Sequence, residues 1–133
     1  MTSAKGLLDT SVFIAREHAR SLSADSLPEE SFVSVITLAE LQAGVLAASD
    51  TDVRARRLDT LEAVTALEPL PVTAPAAAHW ARLRVRLAES GRRVNANDLW
   101  ICAIALAHDM PVVTQDDDFD VLADLSLVDV IRV

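Results

Sequence analysis

The sequence predicts an α/β fold: one domain, residues 1–133, in three layers, with a central parallel sheet of four to five strands covered by helices on both faces. Two observations carry this. Short apolar runs rich in β-branched residues alternate along the chain with longer segments whose apolar residues recur at helical spacing. A length of 133 residues with 51% apolar composition supports one hydrophobic core and is too short for two ordinary domains.

The elements follow in order. Gly6 to Leu8 reads as a short buried strand that ends at Asp9-Thr10-Ser11, where Asp9 or Thr10 caps a helix carrying Val12, Phe13 and Ile14. Phe32 to Ile36 reads as a second strand, stopping at Thr37, after which Leu38, Leu41 and Val45 repeat at helical spacing. Val53, Leu58, Leu61, Val64 and Leu67 mark a helix from Asp52 to Leu67 that ends before Pro69. Leu70 to Val72 is a candidate short strand. Pro75 suits the first turn of a helix with Trp80, Leu83 and Leu87 on one face, stopped by Gly91, and Arg82 and Arg86 share another face. Asn95 or Asn97 then caps a helix that is apolar nearly all round from Leu99 to Ala107, which implies deep burial. Pro111 to Thr114 and Val128 to Val133 complete the strands.

Composition removes several classes of function. No apolar stretch approaches the roughly 20 residues needed to cross a bilayer, and Asp9 interrupts the N-terminal apolar patch too early for a secretory signal. A cytoplasmic protein is the expectation. Cys102 is the single cysteine, which excludes an intramolecular disulfide and a multi-cysteine zinc site; it reads as a small buried hydrophobe. The net charge of −8 argues against a protein that coats nucleic acid. Charge is unevenly spread, however: Trp80 to Asn95 holds Arg82, Arg84, Arg86, Arg92 and Arg93 against Glu89, a local +4 beside −12 elsewhere. That strip is either a solvated helix face or a rim for phosphates.

In parallel α/β sheets, sites lie beyond the carboxyl ends of the strands. Asp9 follows the first strand, Glu40 lies one turn after the second, Asp98 opens the buried helix and Asp116 follows the strand at Val112 and Val113. Each alone has a structural explanation. Asp9 can cap, Thr37 to Glu40 matches a capping box, Asp98 favours a helix N-terminus, and Asp116 to Asp118 can form a solvated turn. As a set they project to one sheet edge, where converging carboxylates repel unless protonated or bound to a cation. Oxygen donors without His or Cys suit Mg²⁺ or Mn²⁺, and such ions promote phosphodiester hydrolysis. His18, His79 and His108 form no ligand pair, which disfavours a zinc hydrolase.

Four blocks of the chain resemble the PIN-domain nucleases, and among them the VapC toxins of bacterial toxin–antitoxin pairs. These are Leu7-Leu8-Asp9-Thr10-Ser11-Val12, Ile36-Thr37-Leu38-Ala39-Glu40-Leu41, Asn97-Asp98-Leu99-Trp100-Ile101 and Val113-Thr114-Gln115-Asp116. They span almost the whole chain in the family's order. The resemblance implies that Asp9, Glu40, Asp98 and Asp116 hold the metal, with Asp118 a second choice in the last block, and that Thr10 and Thr114 are pocket-side hydroxyls. It implies a compact α/β/α domain that dimerises, cuts structured RNA such as tRNA or rRNA, and is silenced by a VapB antitoxin. Arg82, Arg86, Arg92 and Arg93 are candidates for a basic rim that holds RNA phosphates.

Two other classes compete. An aspartyl-phosphate phosphotransferase wants either a second Asp two residues after the first, where Ser11 stands, or a lysine near the C-terminal strands, and Lys5 is the only lysine. A non-catalytic PIN-like module that binds RNA or protein is the remaining alternative; its expected mark is loss of acids, and here all four are present.

Overall fold

The structure is a computed structural model describing residues 4–133. Its strands are β1 (Lys5–Leu8), β2 (Glu30–Phe32), β3 (Val112–Thr114) and β4 (Val130–Arg132), and its helices are α1 (Thr10–Glu17), α2 (Val35–Ala47), α3 (Thr51–Thr65), α4 (Ala74–Glu89), α5 (Ala96–Ala107) and α6 (Asp120–Asp124). The strands form one sheet in the order β2-β1-β3-β4, and every pairing is parallel.

Strand alternation divides the core. Leu7 pairs with Val112 and Leu8 with Val113, and all four are buried. Adjacent residues on a strand point to opposite faces, and the two pairs accordingly join different clusters. Leu7 and Val112 pack with Ala76, Leu83 and Leu87 of α4, with the buried side of α5 and with Leu122 of α6. Leu8 and Val113 pack with Val12 and Phe13 of α1, Leu41 of α2 and Val64 of α3. The three layers follow from that division. The centre of the sheet is tight: a Cβ placed on Gly6 would lie 2.7 Å from Cγ2 of Val113.

The structure moves several expected boundaries. The run Phe32 to Ile36 is not a strand throughout: β2 ends at Phe32, and Val35 and Ile36 already belong to α2. Ser34 is responsible, because its hydroxyl accepts from the Thr37 backbone N–H and caps the helix three residues before the expected start. The Thr37 to Glu40 capping box therefore does not exist. Leu70 to Val72 is reduced to a single bridge, in which Val35 donates to the Leu70 carbonyl and Leu70 to the Val33 carbonyl. Asn95, rather than Asn97, caps α5 by accepting from Asn97 N–H at 2.8 Å. Helix α6 has no counterpart among the expected elements.

Candidate active site

Three helices begin at the carboxyl edge of the sheet and deliver the acids. Asp9 leaves the end of β1 and caps α1 through a 3.3 Å bond from Ser11 N–H. Asp98 lies in the first turn of α5, where the helix dipole favours a carboxylate. Glu40 sits in the second turn of α2, and Asp116 and Asp118 follow β3.

Two hydroxyl relays hold the acids. Thr114 Oγ1 donates to Asp9 Oδ2 at 3.0 Å. A hydroxyl carries one proton, so the Ser11 hydroxyl, 3.1 Å away, donates to Thr114, while Gln115 N–H donates to Ser11 at 3.0 Å and Asp116 N–H donates to Thr114 at 3.0 Å. The chain of donors runs from the backbone after β3 into the Asp9 carboxylate. The second relay has the same logic. Thr10 Oγ1 donates to Glu40 Oε1 at 2.7 Å, so the Thr37 hydroxyl, at 2.9 Å, donates to Thr10. Thr114 and Thr37 are fully buried and Thr10 is 8% exposed. Thr10 and Thr114, the hydroxyls expected beside the pocket, each donate to one of its acids, Glu40 and Asp9 respectively.

Electrostatics show the acids to be neighbours. Asp98 is pushed up to about 7, first by burial and then by the charges of Asp9, Asp118, Glu40 and Asp116. Burial raises Asp9 too, against the opposing hydrogen bonds of Ser11 and Thr114. Asp116 is raised by burial and by Asp9 and Asp118, while Arg132 and Arg20 pull it down. The buried Cys102 thiol, below the site, is held well above its usual range by burial and by Asp98 and Asp9.

Asp117 points elsewhere, pairing with Arg132, which also lies 3.8 Å from Asp120. Sequence reasoning passes over Arg20 and Arg132. The signal for Arg20 is indirect: Gln115 Nε2 donates to the Ser21 carbonyl and so ties the loop carrying Arg20 to the Asp116 segment.

The expected basic strip is split. Arg92 and Arg93 line a groove with Arg84, whereas Arg86 borders a smaller cavity beside Leu125 and Leu127, and Arg82 lines neither. Arg82 and Arg86 share a face of α4 at a spacing of one turn, and the groove opens on a different one.

The donor set fits a hard divalent cation. All donors are carboxylate oxygens, and a cation would relieve the mutual repulsion that raises Asp98. Among the described residues no three of these groups close into a preformed chelate.

A parallel α/β/α sheet with carboxylates beyond its carboxyl edge fits a class of metal-dependent enzymes that act on phosphate esters. The PIN-domain model matches residues 6–125, and the chain belongs to that family, among the VapC ribonucleases. It is 57% identical over 132 residues to Ribonuclease VapC5 of Mycobacterium tuberculosis, covering 99% of this chain and 98% of that protein. Ribonuclease VapC4 of the same organism is 39% identical, over 96% of this chain and 98% of its own. Among solved structures, a member of the VapBC toxin–antitoxin family, VapBC-5 from M. tuberculosis, matches with a TM-score of 0.90 at 55% identity, over 98% of this chain and 99% of the other. Among the described residues no helix is long and apolar enough to cross a membrane.

Proposed function

We propose that this chain is a metal-dependent endoribonuclease, the toxin of a type II toxin–antitoxin pair, that acts in the cytoplasm on structured RNA such as tRNA or rRNA. Mg²⁺ or Mn²⁺ is the ion, a VapB-type antitoxin the inhibitor, and a homodimer the working form. One observation carries the reading: acids from four separate segments, Asp9, Glu40, Asp98 and the Asp116–Asp118 stretch, meet at one edge of the sheet and raise the Asp98 carboxyl to about 7. The likeness to the VapC ribonucleases and to VapBC-5 supports both the substrate class and the partner.

Asp9, Glu40, Asp98 and Asp116 would hold the ion, with Asp118 a further acid. A bound divalent ion supplies an activated water and neutralises charge on the scissile phosphate. The protein's contribution is orientation. Thr114 fixes Oδ2 of Asp9, and Thr10 fixes Oε1 of Glu40, so neither carboxylate has to reorganise when substrate arrives. Single-stranded loops suit such a cup, because their unstacked nucleotides expose the backbone to it.

Incubation of the purified chain with total tRNA and rRNA, with Mg²⁺, with Mn²⁺ and with EDTA, tests the reading. Cleavage that EDTA stops and that Asp98→Asn lacks is expected. Equal cleavage in EDTA, or full activity of Asp98→Asn, sinks it.

A further inference from the structure

The acid cup cannot by itself attract a polyanion, since its carboxylates repel phosphate until a cation neutralises them. The force that holds RNA must come from beside it. A groove of about 810 Å³ lies at the mouth of the α4–α5 hairpin, with Arg84, Arg92 and Arg93 around an apolar floor of Val85, Leu87 and Val94. Among the described residues no acidic side chain lines it. It also reaches Leu99, the residue after Asp98, so the groove and the cup share the start of α5.

The arginines are positioned in advance. The Arg84 guanidinium stands 5.6 Å over the Trp80 ring, which stacks on Trp100 at 5.0 Å and 17° and so braces α4 against α5. Gly91, at a φ of +68°, turns the chain after α4, and Arg92 N–H bonds back to the Leu87 carbonyl at 3.0 Å. That turn aims the following pair, Arg92 and Arg93, at the groove. Val85 is 56% exposed, an apolar surface open to a flat partner.

From this we infer that the groove seats the single-stranded RNA segment flanking the scissile bond, with Arg84, Arg92 and Arg93 on its phosphates and the exposed Val85 under its bases or riboses. The inference rests on the ribonuclease reading above and assigns its substrate-holding surface. A protein would also find apolar floor here. Three cations with no acid among the groove's lining residues, in a chain of net charge −8 and one residue from the cup, favour a polyanion.

The test uses a fluorescein-labelled, mixed-sequence single-stranded RNA of about 20 nucleotides, a length that exceeds common single-strand site sizes. Anisotropy over a series of KCl concentrations is read on an Asp98→Asn background that prevents cleavage. Arg92→Gln with Arg93→Gln should lower the slope of log affinity against log salt by about 1.4, or about 0.7 for each phosphate left without its arginine. In the otherwise native chain the same pair should raise KM for RNA about tenfold and leave kcat nearly unchanged. Arg84→Gln should act in the same direction, Arg84→Lys should retain most of the slope, and Arg56→Gln, on α3 over the opposite face of the sheet, should change neither quantity.

Should the wild-type chain cleave RNA while the groove variants keep its KM and salt slope, the groove assignment falls and the nuclease stands. Loss of self-association or of antitoxin binding, with RNA affinity intact, would overturn it in favour of a protein interface. A wild-type chain that neither binds nor cuts RNA in Mg²⁺ removes both proposals.

Discussion

Thr114 and Asp9 are 105 positions apart and share a 3.0 Å hydrogen bond at the junction of the two central strands. The bond links strand pairing to chemistry. Parallel pairing of β1 with β3 sets Leu8 against Val113, which brings the next residues of each strand, Asp9 and Thr114, side by side. Thr114 then takes donors from Ser11 and from Asp116 N–H and passes its own proton to Asp9. Thr114→Val keeps the volume and removes all three bonds. We expect it to cost about 1–3 kcal/mol of stability, because buried partners are left unpaired, and to reduce cleavage strongly. Thr114→Ser should recover most of both, as thermal melting and RNA cleavage would reveal. Wild-type activity in the valine variant would refute the relay.

Glu40 has no capping duty, since Ser34 caps α2, and its Oε1 accepts from Thr10 instead. Glu40→Gln can still accept that bond through its amide oxygen. Its stability should therefore stay within about 0.5 kcal/mol of wild type, while metal-dependent cleavage falls by at least an order of magnitude. A large drop in melting temperature with cleavage preserved would return Glu40 to a structural role.

Asp9 at a strand end, Asp98 in the first turn of an apolar helix and Asp116 just after a strand stand at landmarks visible in one dimension, whereas Glu40, in the second turn of α2, does not. What escapes depends on geometry that has no local signature. Val33, Val35 and Ile36 have strand-like side chains, yet Ser34 among them captures the Thr37 amide and starts a helix. Phe119 is fully buried although it follows three aspartates, and it packs in the same cluster as Leu122 of α6. The polarity of its neighbours conceals that short helix. The arginine strip looks continuous because Arg82 and Arg86 share one helical face, whereas the groove is built from Arg84 and from residues beyond Gly91. The charge of Arg20 acts on Asp116, and a bond from Gln115 to the Ser21 carbonyl joins the two segments. No spacing rule anticipates that contact.

The three consecutive aspartates have separable roles. Asp116 and Asp118 both raise the Asp98 carboxyl, whereas Asp117 pairs with Arg132 and its side chain is 80% exposed. Asp117→Asn should therefore leave cleavage intact and shift stability by no more than about 0.5 kcal/mol, as exposed pairs generally do. Asp116→Asn should abolish cleavage, and Asp118→Asn should weaken it, most visibly at limiting Mg²⁺. Initial rates across a Mg²⁺ titration measure this. An inactive Asp117→Asn beside an active Asp116→Asn would reverse the assignment.

The raised carboxyls make the metal-free chain pH-sensitive in a defined direction. Asp98 keeps its proton in the folded state up to about pH 7, whereas an unperturbed aspartate loses it near 3.8. Between those values the folded state holds the extra proton, so stability falls as pH rises through the window and levels off above it. Asp9 and Asp116 are shifted the same way and add to the slope. A divalent cation requires the ionised carboxylates, so protons compete with it and its affinity should climb over the same interval. Melting temperatures in EDTA should therefore be lower at about pH 8 than at about pH 5, and Mg²⁺ should raise them chiefly at the higher pH. Asp98→Asn removes the principal titrating group. It should flatten the EDTA profile, stabilise the metal-free chain near neutrality and abolish cleavage. A profile that rises with pH in EDTA, or that Asp98→Asn leaves unchanged, would mean that Asp98 does not carry the repulsion of the acid cup.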